Sequence, residues 1–330
     1  GVPYPEGDKI KHRPFHVYTM KQAIQEGFIL DVLKYYTPVD SFYKLIKTAQ
    51  DDPMFDKNKA QKKLRYFVES DEFTISQKAT LMVEHFHEQV VSKNKIGGKA
   101  RAMVVTSGIK RCIEYYYAIN KCLANRRSPY KAIIAFSGEC EFRKGTMLTS
   151  AGLNGFPDNT IEKVFRTDPY RFLIVADMFQ TGYDEPLLHT MYVDKMLSDI
   201  KAVQTLSRLN RSCPKKYDTF VLDFANKTST IEEAFSNYYR TTILSSETDP
   251  NKLYDIIAIM EDHQIFSQEH VDTLVGLYLN GADRDRLDPI IDACVEQYKE
   301  LENEDKIRFK GAAKSFVRTY GFLGAILPYG

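Results

Sequence analysis

Five cysteines, Cys112, Cys122, Cys140, Cys213 and Cys294, are spread over 330 residues without a C-x-x-C pair. An odd, scattered set argues against a disulfide framework and for a reduced, cytosolic setting. His85 and His87 are two apart. That spacing puts them on different sides of a helix, so no metal-ligand pattern presents itself. Net charge is only +1, which excludes a global basic field and leaves any nucleic-acid contact to a local groove. No apolar run approaches twenty residues, so neither a signal peptide nor a membrane span is visible. A phosphate cradle, G-x-x-x-x-G-K-[ST], is also missing. Gly97-Gly98-Lys99 lacks the first glycine and runs into Ala100. Without that cradle, Asp177 or Asp184-Glu185 does not read as a Mg²⁺-binding acidic motif. Nucleophile–base pairs, a dinucleotide fingerprint, nuclease motifs, repeats and low-complexity tracts are absent too. A small-molecule α/β enzyme is therefore a distant reading.

What is present is enough for a core, with 43% hydrophobic residues. The length suits one large or two modest domains. The chain starts at Gly1 and stops at Tyr329-Gly330 directly after an apolar stretch, which suggests an excised piece of a longer protein. Residues 1–18 read as an irregular lead-in. Thr19 with Gln22 forms a capping-box pattern, predicting a helix through MKQAIQEGFILDVLKYY that Pro38 stops. Lys57, Lys59, Lys62, Lys63 and Arg65 make a basic cluster that reads first as a solvated helix face. Ala79, Met82, Val83, Phe86 and Val90 recur at helical spacing.

An α/β rhythm follows. Strands are expected at Ala102–Thr106, Lys131–Phe136, Phe172–Ala176, His189–Val193 and Thr219–Phe224. Helices are expected at Ile109–Arg126 and Ile161–Phe165, with a long glycine-containing loop after Phe136. This order implies a mostly parallel sheet covered by helices on both faces. Ser107-Gly108, Ser137-Gly138 and Thr181-Gly182 fall at strand carboxyl ends, where ligands meet such sheets. Small polar residues there admit a phosphodiester backbone, although each is also ordinary turn chemistry. After Ala225 the pattern turns all-helical: Ile231–Leu244, Pro250–Met260, Ser267–Leu279, Pro289–Leu301 and Lys310–Leu327. Tyr115-Tyr116-Tyr117 reads as the core and rim of a helix. The domain boundaries follow as 1–95, 96–228 and 229–330.

The rest is organised around Arg171 to Arg211. An apolar run, Phe172 to Ala176, leads to a loop carrying Gln180, Thr181, Gly182, Tyr183 and Asp184. A helix is expected from about Ser198 to Arg211. At roughly 100° per residue, Gln204, Arg208 and Arg211 share a narrow sector, opposite Ala202, Val203, Leu206 and Leu209. Two guanidiniums one turn apart suit phosphate oxygens. The plainer reading is surface ion pairing with Asp184, Asp194 or Asp199.

Q-x-x-S-R-x-N-R (Gln204 to Arg211) resembles the last motif of superfamily 2 helicases, with Ser207 and Asn210 where glycines are usual. A-D-x-F-Q-T-G-Y-D-E-P (Ala176 to Pro186) resembles the motif before it. Gly182-Tyr183-Asp184-Glu185-Pro186 with Ser207-Arg208-Leu209-Asn210-Arg211 resembles the motor (R) subunit of type I restriction enzymes, a likeness that runs over nearly the whole chain.

That resemblance implies a second RecA-like lobe, preceded by helices and followed by an all-helical domain that is incomplete here. ATP and Mg²⁺ would be bound mainly by a first lobe of the same parent chain. Arg208 and Arg211 would act as catalytic arginine fingers on the γ-phosphoryl group. Gly182, Asp184 and Gln204 would serve the nucleotide side. Ser107, Ser137, Gly138, Gln180 and Thr181 would contact double-stranded DNA. No metal is assigned to this chain. The parent would be an ATP-dependent endonuclease and translocase that moves along duplex DNA without separating strands. Its partners would be methylation and specificity subunits in a bacterial or archaeal cytoplasm, and the isolated chain would be inactive. The alternatives are a non-catalytic DNA-gripping or subunit-docking module, and the second lobe of a different superfamily 2 helicase.

Overall fold

A computed structural model describes residues 2–6, 9–13, 18–40, 42, 74–142, 145–180, 182–238 and 252–326. Thr181, the Lys57–Arg65 basic cluster and the end of the expected Ile231–Leu244 helix lie outside the described residues. The described residues form two compact units, one within residues 1–42 and 62–245 and the other within residues 246–330.

The first unit is built on six parallel strands. In chain order these strands and the ribbons around them are β1 (Val2–Glu6), β2 (Lys9–Arg13), β3 (Tyr36–Pro38), β4 (Arg101–Thr106), β5 (Lys131–Ala135), β6 (Glu139–Phe142), β7 (Thr146–Thr149), β8 (Tyr170–Val175), β9 (Leu188–Asp194) and β10 (Phe220–Asp223). The sheet order is β3-β10-β9-β4-β8-β5, every neighbouring pair parallel. The helices are α1 (Met20–Gln25), α2 (Ile75–His85), α3 (Ile109–Asn125), α4 (Ser150–Asn154), α5 (Ile161–Phe165), α6 (Asp199–Leu206) and α7 (Thr228–Phe235).

Strand residues alternate between two covered faces. Met103, Val105, Leu173, Val175, Met191, Val193 and Val221 pack with Ile161 and Phe165 of α5, Val203 and Leu206 of α6, and Phe235 of α7. The other face meets α2 and α3. Phe86, in the wider helical turn that continues α2, lies 4.7 Å from Phe172 between ring centroids. His85 stacks on Phe220 at 4.3 Å. Burial on both sides is why these strands read as unbroken apolar runs. Both sheet edges are closed by local chemistry. On β5, the Asn154 amide donates to Ile134 O (2.7 Å) and accepts from Ile134 N (3.0 Å), doing the work of a missing strand. On β3, Pro38 has no N–H to leave unpaired.

Four expectations need correction. The helix after Thr19 keeps its capping box but ends at Gln25, because Gly27 turns the chain at φ +77°. Tyr36-Thr37-Pro38 is then drawn into the sheet beside β10 and is no longer helical. The lead-in is not irregular throughout, since β1 and β2 pair antiparallel. Pro3 and Pro5 are two apart, so both missing N–H groups face the same way, which an isolated ribbon tolerates. The loop after β5 contains the antiparallel ribbon β6–β7 and helix α4. Finally, α7 packs on α6 and puts Ile231 and Phe235 into the core of the first unit, whereas the sequence assigned it to the helical domain.

The second unit is helical: α8 (Lys252–Asp262), α9 (Gln268–Leu279), α10 (Arg284–Glu300) and α11 (Asn303–Ile326). Ser267 caps α9 through a reciprocal box with His270. Pro289 lies inside α10, which begins five residues before the expected start. Phe309 packs near His263, Phe266 and Tyr298 with centroid distances of 5.8–6.4 Å.

Candidate nucleotide-phosphate and nucleic-acid sites

Strand polarity sorts the expected site residues. Each strand's carboxyl end lies on one edge of the sheet. The loop from Ala176 to Leu187 must cross to the opposite edge to start β9. Helix α6 makes the same crossing, since it leaves the end of β9 and is followed by β10. The Asp184–Pro186 segment and the turn after α6 therefore meet at the amino edge.

That turn differs from the sequence reading. Helix α6 ends at Leu206, with Ser207 as its C-cap. Arg208 and Arg211 are not on helix faces. Leu209 N and Asn210 N bond back to Leu206 O (3.0 Å) and Ser207 O (3.4 Å) in tight turns. The physical reason is tertiary capture: Leu209 is fully buried, Leu30 N donates to Asn210 O (2.9 Å), and Ile29 bridges Arg211. Ser207 and Asn210 stand where glycine is usual in the general motif, yet neither has positive φ. No glycine is required there.

The arginines are held in different ways. Arg208 Nε donates to Gln204 O (3.0 Å) and its Nη1 to Tyr183 O (2.8 Å). Burial lowers its pKa from the ordinary guanidinium value, helped by the like charge of Arg211 and opposed by Asp184; an arginine so placed remains charged. Arg211 Nε lies 3.1 Å from Asp184 Oδ1, a pair with Asp184 two-thirds exposed. The ion-pair alternative thus holds for Arg211 and not for Arg208. Neighbouring Glu185 is buried and accepts from Arg166 Nε (2.9 Å) and Leu187 N (3.0 Å). Arg166 also donates to Asp184 O (2.8 Å), and the Glu185 bond raises its pKa. Around these groups, Ser207 Oγ, Asn210 Oδ1 and the Tyr183 hydroxyl are buried with no hydrogen-bond partner among the described residues, and Arg211 Nε, though near Asp184, makes no hydrogen bond of good geometry there.

Lys216 is the residue the sequence reading missed. It is buried, and Nζ donates to Arg211 O (2.7 Å), Leu209 O (2.9 Å) and Pro186 O (3.0 Å). Burial lowers its pKa to about 8; three carbonyls work in the opposite sense by favouring the ammonium. In the sequence it looks like one of two adjacent lysines before Tyr217, and only its place shortly after the arginine motif hints at a role.

At the carboxyl edge, Ser107, Ser137 and Gly138 are exposed at the ends of β4 and β5. These strands flank β8, so the three loops are neighbours. Gln180 and Gln204 line a small cleft with Asp177, Lys195, Lys201 and Thr205. Lys195 pairs with Asp177 and reaches Gln180 Oε1 at 3.3 Å. Gly182 has φ +72°, a conformation that suits glycine. The site residues thus form two groups. Asp184, Arg208 and Arg211 gather at the amino edge, and Ser107, Ser137, Gly138 and Gln180 lie at the carboxyl edge. Gln204 touches both, its carbonyl holding Arg208 and its side chain lining the cleft. Among the described residues no group of three His, Cys, Asp or Glu side chains could hold a metal ion, and no helix is long and apolar enough to cross a membrane.

Comparison with known proteins gives a consistent family. Residues 145–226 match the model for type I restriction enzyme subunit R domain 3. A putative type I restriction enzyme MjaVIIP endonuclease subunit from Methanocaldococcus jannaschii is 23% identical over 301 residues, covering 84% of this chain and 27% of that protein. The HindI endonuclease subunit from Haemophilus influenzae is 31% identical over 88 residues, 25% of this chain and 8% of that protein. Among solved structures, the ATP-dependent type ISP restriction-modification enzyme LlaBIII bound to DNA overlaps 64% of this chain and 13% of its own, at 14% identity and a TM-score of 0.36. The chain spans about a quarter of the length of the archaeal relative. Residues 145–226 are thus similar to domain 3 of type I restriction enzyme R subunits, and the relatives named above are endonuclease subunits of such enzymes.

Proposed function

We propose that this chain is the second lobe of an ATP-driven DNA-translocating motor in a type I restriction enzyme, with Arg208 contacting the γ-phosphate of ATP bound on another lobe. The observation that carries this reading is the fixed pose of Arg208. Two of its N–H groups are spent on main-chain carbonyls, which orients the guanidinium before any ligand arrives. Its second terminal nitrogen has no hydrogen bond among the described residues and remains for a phosphate oxygen. Pre-oriented donors of this kind stabilise charge that develops in phosphoryl transfer. Arg211 is the second cation. Its exposed pair with Asp184 is worth at most about 1 kcal/mol, so a phosphate displaces that carboxylate cheaply. Asp184, once released, is free to accept a ribose hydroxyl. ATP and Mg²⁺ supply the reacting phosphate and its charge neutralisation from the other lobe.

The carboxyl-edge loops, with Ser107, Ser137, Gly138 and Gln180, are the DNA-backbone surface of this reading. Closing and opening of the two lobes would step the protein along duplex DNA. Methylation and specificity subunits would be its partners, and a nuclease domain elsewhere in the parent would cut. A bacterial or archaeal cytoplasm is the setting this implies.

The test is Arg208→Ala in the full-length R subunit containing this chain. DNA-stimulated ATP turnover should fall about 10³-fold or more, with the melting temperature and duplex DNA binding retained. Wild-type turnover would remove Arg208 from the chemistry. Weakened, salt-sensitive DNA binding with normal turnover would instead favour a non-catalytic DNA-gripping module.

A further inference from the structure

We propose that Lys216 is a positioning residue that sets the aim of Arg208 by clamping the arginine turn to the Tyr183–Pro186 loop. This inference rests on the phosphate-contact reading of Arg208 above and adds a residue that the reading does not contain.

Besides the exposed Arg211–Asp184 pair and a weak bond from Cys213 Sγ to Pro186 O (3.5 Å), the two segments are joined at two further points. One is the bond from Arg208 Nη1 to Tyr183 O, at 2.8 Å. The other is Lys216, whose Nζ reaches Pro186 O on one segment and Leu209 O and Arg211 O on the other, all within 3.0 Å. An ammonium has three N–H donors, and here each has a main-chain carbonyl. The Leu209 and Arg211 carbonyls lie past the end of α6, outside its hydrogen-bond ladder, and Pro186 O lies in the loop before β9. The site is buried, so water does not substitute for the amine. Removing the amine leaves the Leu209 and Arg211 carbonyls without that donor and Pro186 O with only the weak Cys213 thiol, so the clamp between the two segments loosens. The Tyr183 carbonyl then no longer lies where the Arg208 fork needs it. Lys216 touches no reacting group in this account and acts through Arg208.

A stabilising role alone would predict something different from a positioning role, and a double-mutant cycle separates them. ATP turnover with duplex DNA is measured for the full-length protein carrying Lys216→Met, Arg208→Ala, and both together. Lys216→Met should lower kcat about 10–100-fold while KM for ATP moves less than about threefold, the pattern of an interaction made in the transition state. On the Arg208→Ala background the same change should cost less than about twofold, because the residue it acts through is gone. Should Lys216→Met not fold, Lys216→Arg carries the same cycle. It keeps the charge and several donors, and its bulkier fork should lower kcat about threefold to tenfold, again only when Arg208 is present. Equal losses on both backgrounds would overturn the inference, as would full kcat in the single Lys216 variants. If those variants are normal while Arg208→Ala is inactive, the positioning role alone falls. If Arg208→Ala itself turns over normally, the phosphate-contact reading falls and takes this inference with it.

Discussion

At the amino edge of the sheet, the functional groups are held before any ligand arrives. Arg208 is bonded to two carbonyls, Lys216 to three, and Glu185 is buried against Arg166. At the carboxyl edge of the same sheet, Ser107, Ser137 and Gly138 stand exposed, and Lys195 pairs with an exposed Asp177 and makes a long bond to Gln180. On the proposed reading, the difference follows from what each edge would be asked to do. Stabilising charge in a transition state rewards groups that need no reorganisation. Gripping a nucleic-acid backbone that must be released at every step rewards weak, exposed and salt-sensitive contacts.

The contrast can be broken by substitution. Leu209 is fully buried beneath the arginine turn, so Leu209→Ala should cost about 2–5 kcal/mol of stability, read by denaturant unfolding. A loss below about 1 kcal/mol would mean the amino edge is not packed as described. A pH series tests the packing behind the sheet. His87 lies beside Ser128 Oγ at 3.0 Å, and burial with the nearby Arg126 lowers its pKa to about 4. In the unfolded chain it titrates near its ordinary value of about 6.5. Between these values the unfolded state holds the proton and the folded state does not, so this residue's contribution is lost as pH falls from about 6.5 to about 4. His87→Gln should flatten that part of the stability profile; an unchanged slope would contradict the burial of this imidazole.

Smaller effects belong to the carboxyl edge. Asp177→Asn releases the Lys195 ammonium and should change stability by less than about 1 kcal/mol. Duplex DNA affinity should rise about twofold to fivefold at low salt, with a steeper salt dependence. Weaker DNA binding would place the backbone elsewhere. Ser137→Ala should be smaller still, within about 0.5 kcal/mol in stability, and a large loss would mean that this exposed residue carries structure.

Much of the sheet was legible because its strands are buried on both faces, and residues such as Phe172 to Val175 announce that without help. The two motif stretches were legible for the same local reason, their residues being close in sequence. What was hidden depends on distant partners. The helix expected to reach Arg211 stops at Leu206 because Leu30 and Lys216, far away or undistinguished in sequence, take the main-chain groups of the next turn. Tyr36 looked like the end of an amphipathic helix, yet its hydroxyl bonds Asp223 at 2.7 Å across 187 residues. No periodicity contains that bond. The pairing of Arg211 with Asp184 was foreseen as one of three partners; choosing among them required the crossing of the β8–β9 loop to the amino edge.

The most direct test of the central claim is trapping of a phosphoryl-transfer mimic. Full-length protein with duplex DNA is given ADP with aluminium fluoride, and retention is compared with ADP alone. Because a finger acts on the transition state more than on the ground state, Arg208→Ala should bind ADP like the wild type and fail to retain the fluoride complex. Equal retention by both proteins would contradict the assignment of Arg208 to the transferring phosphate.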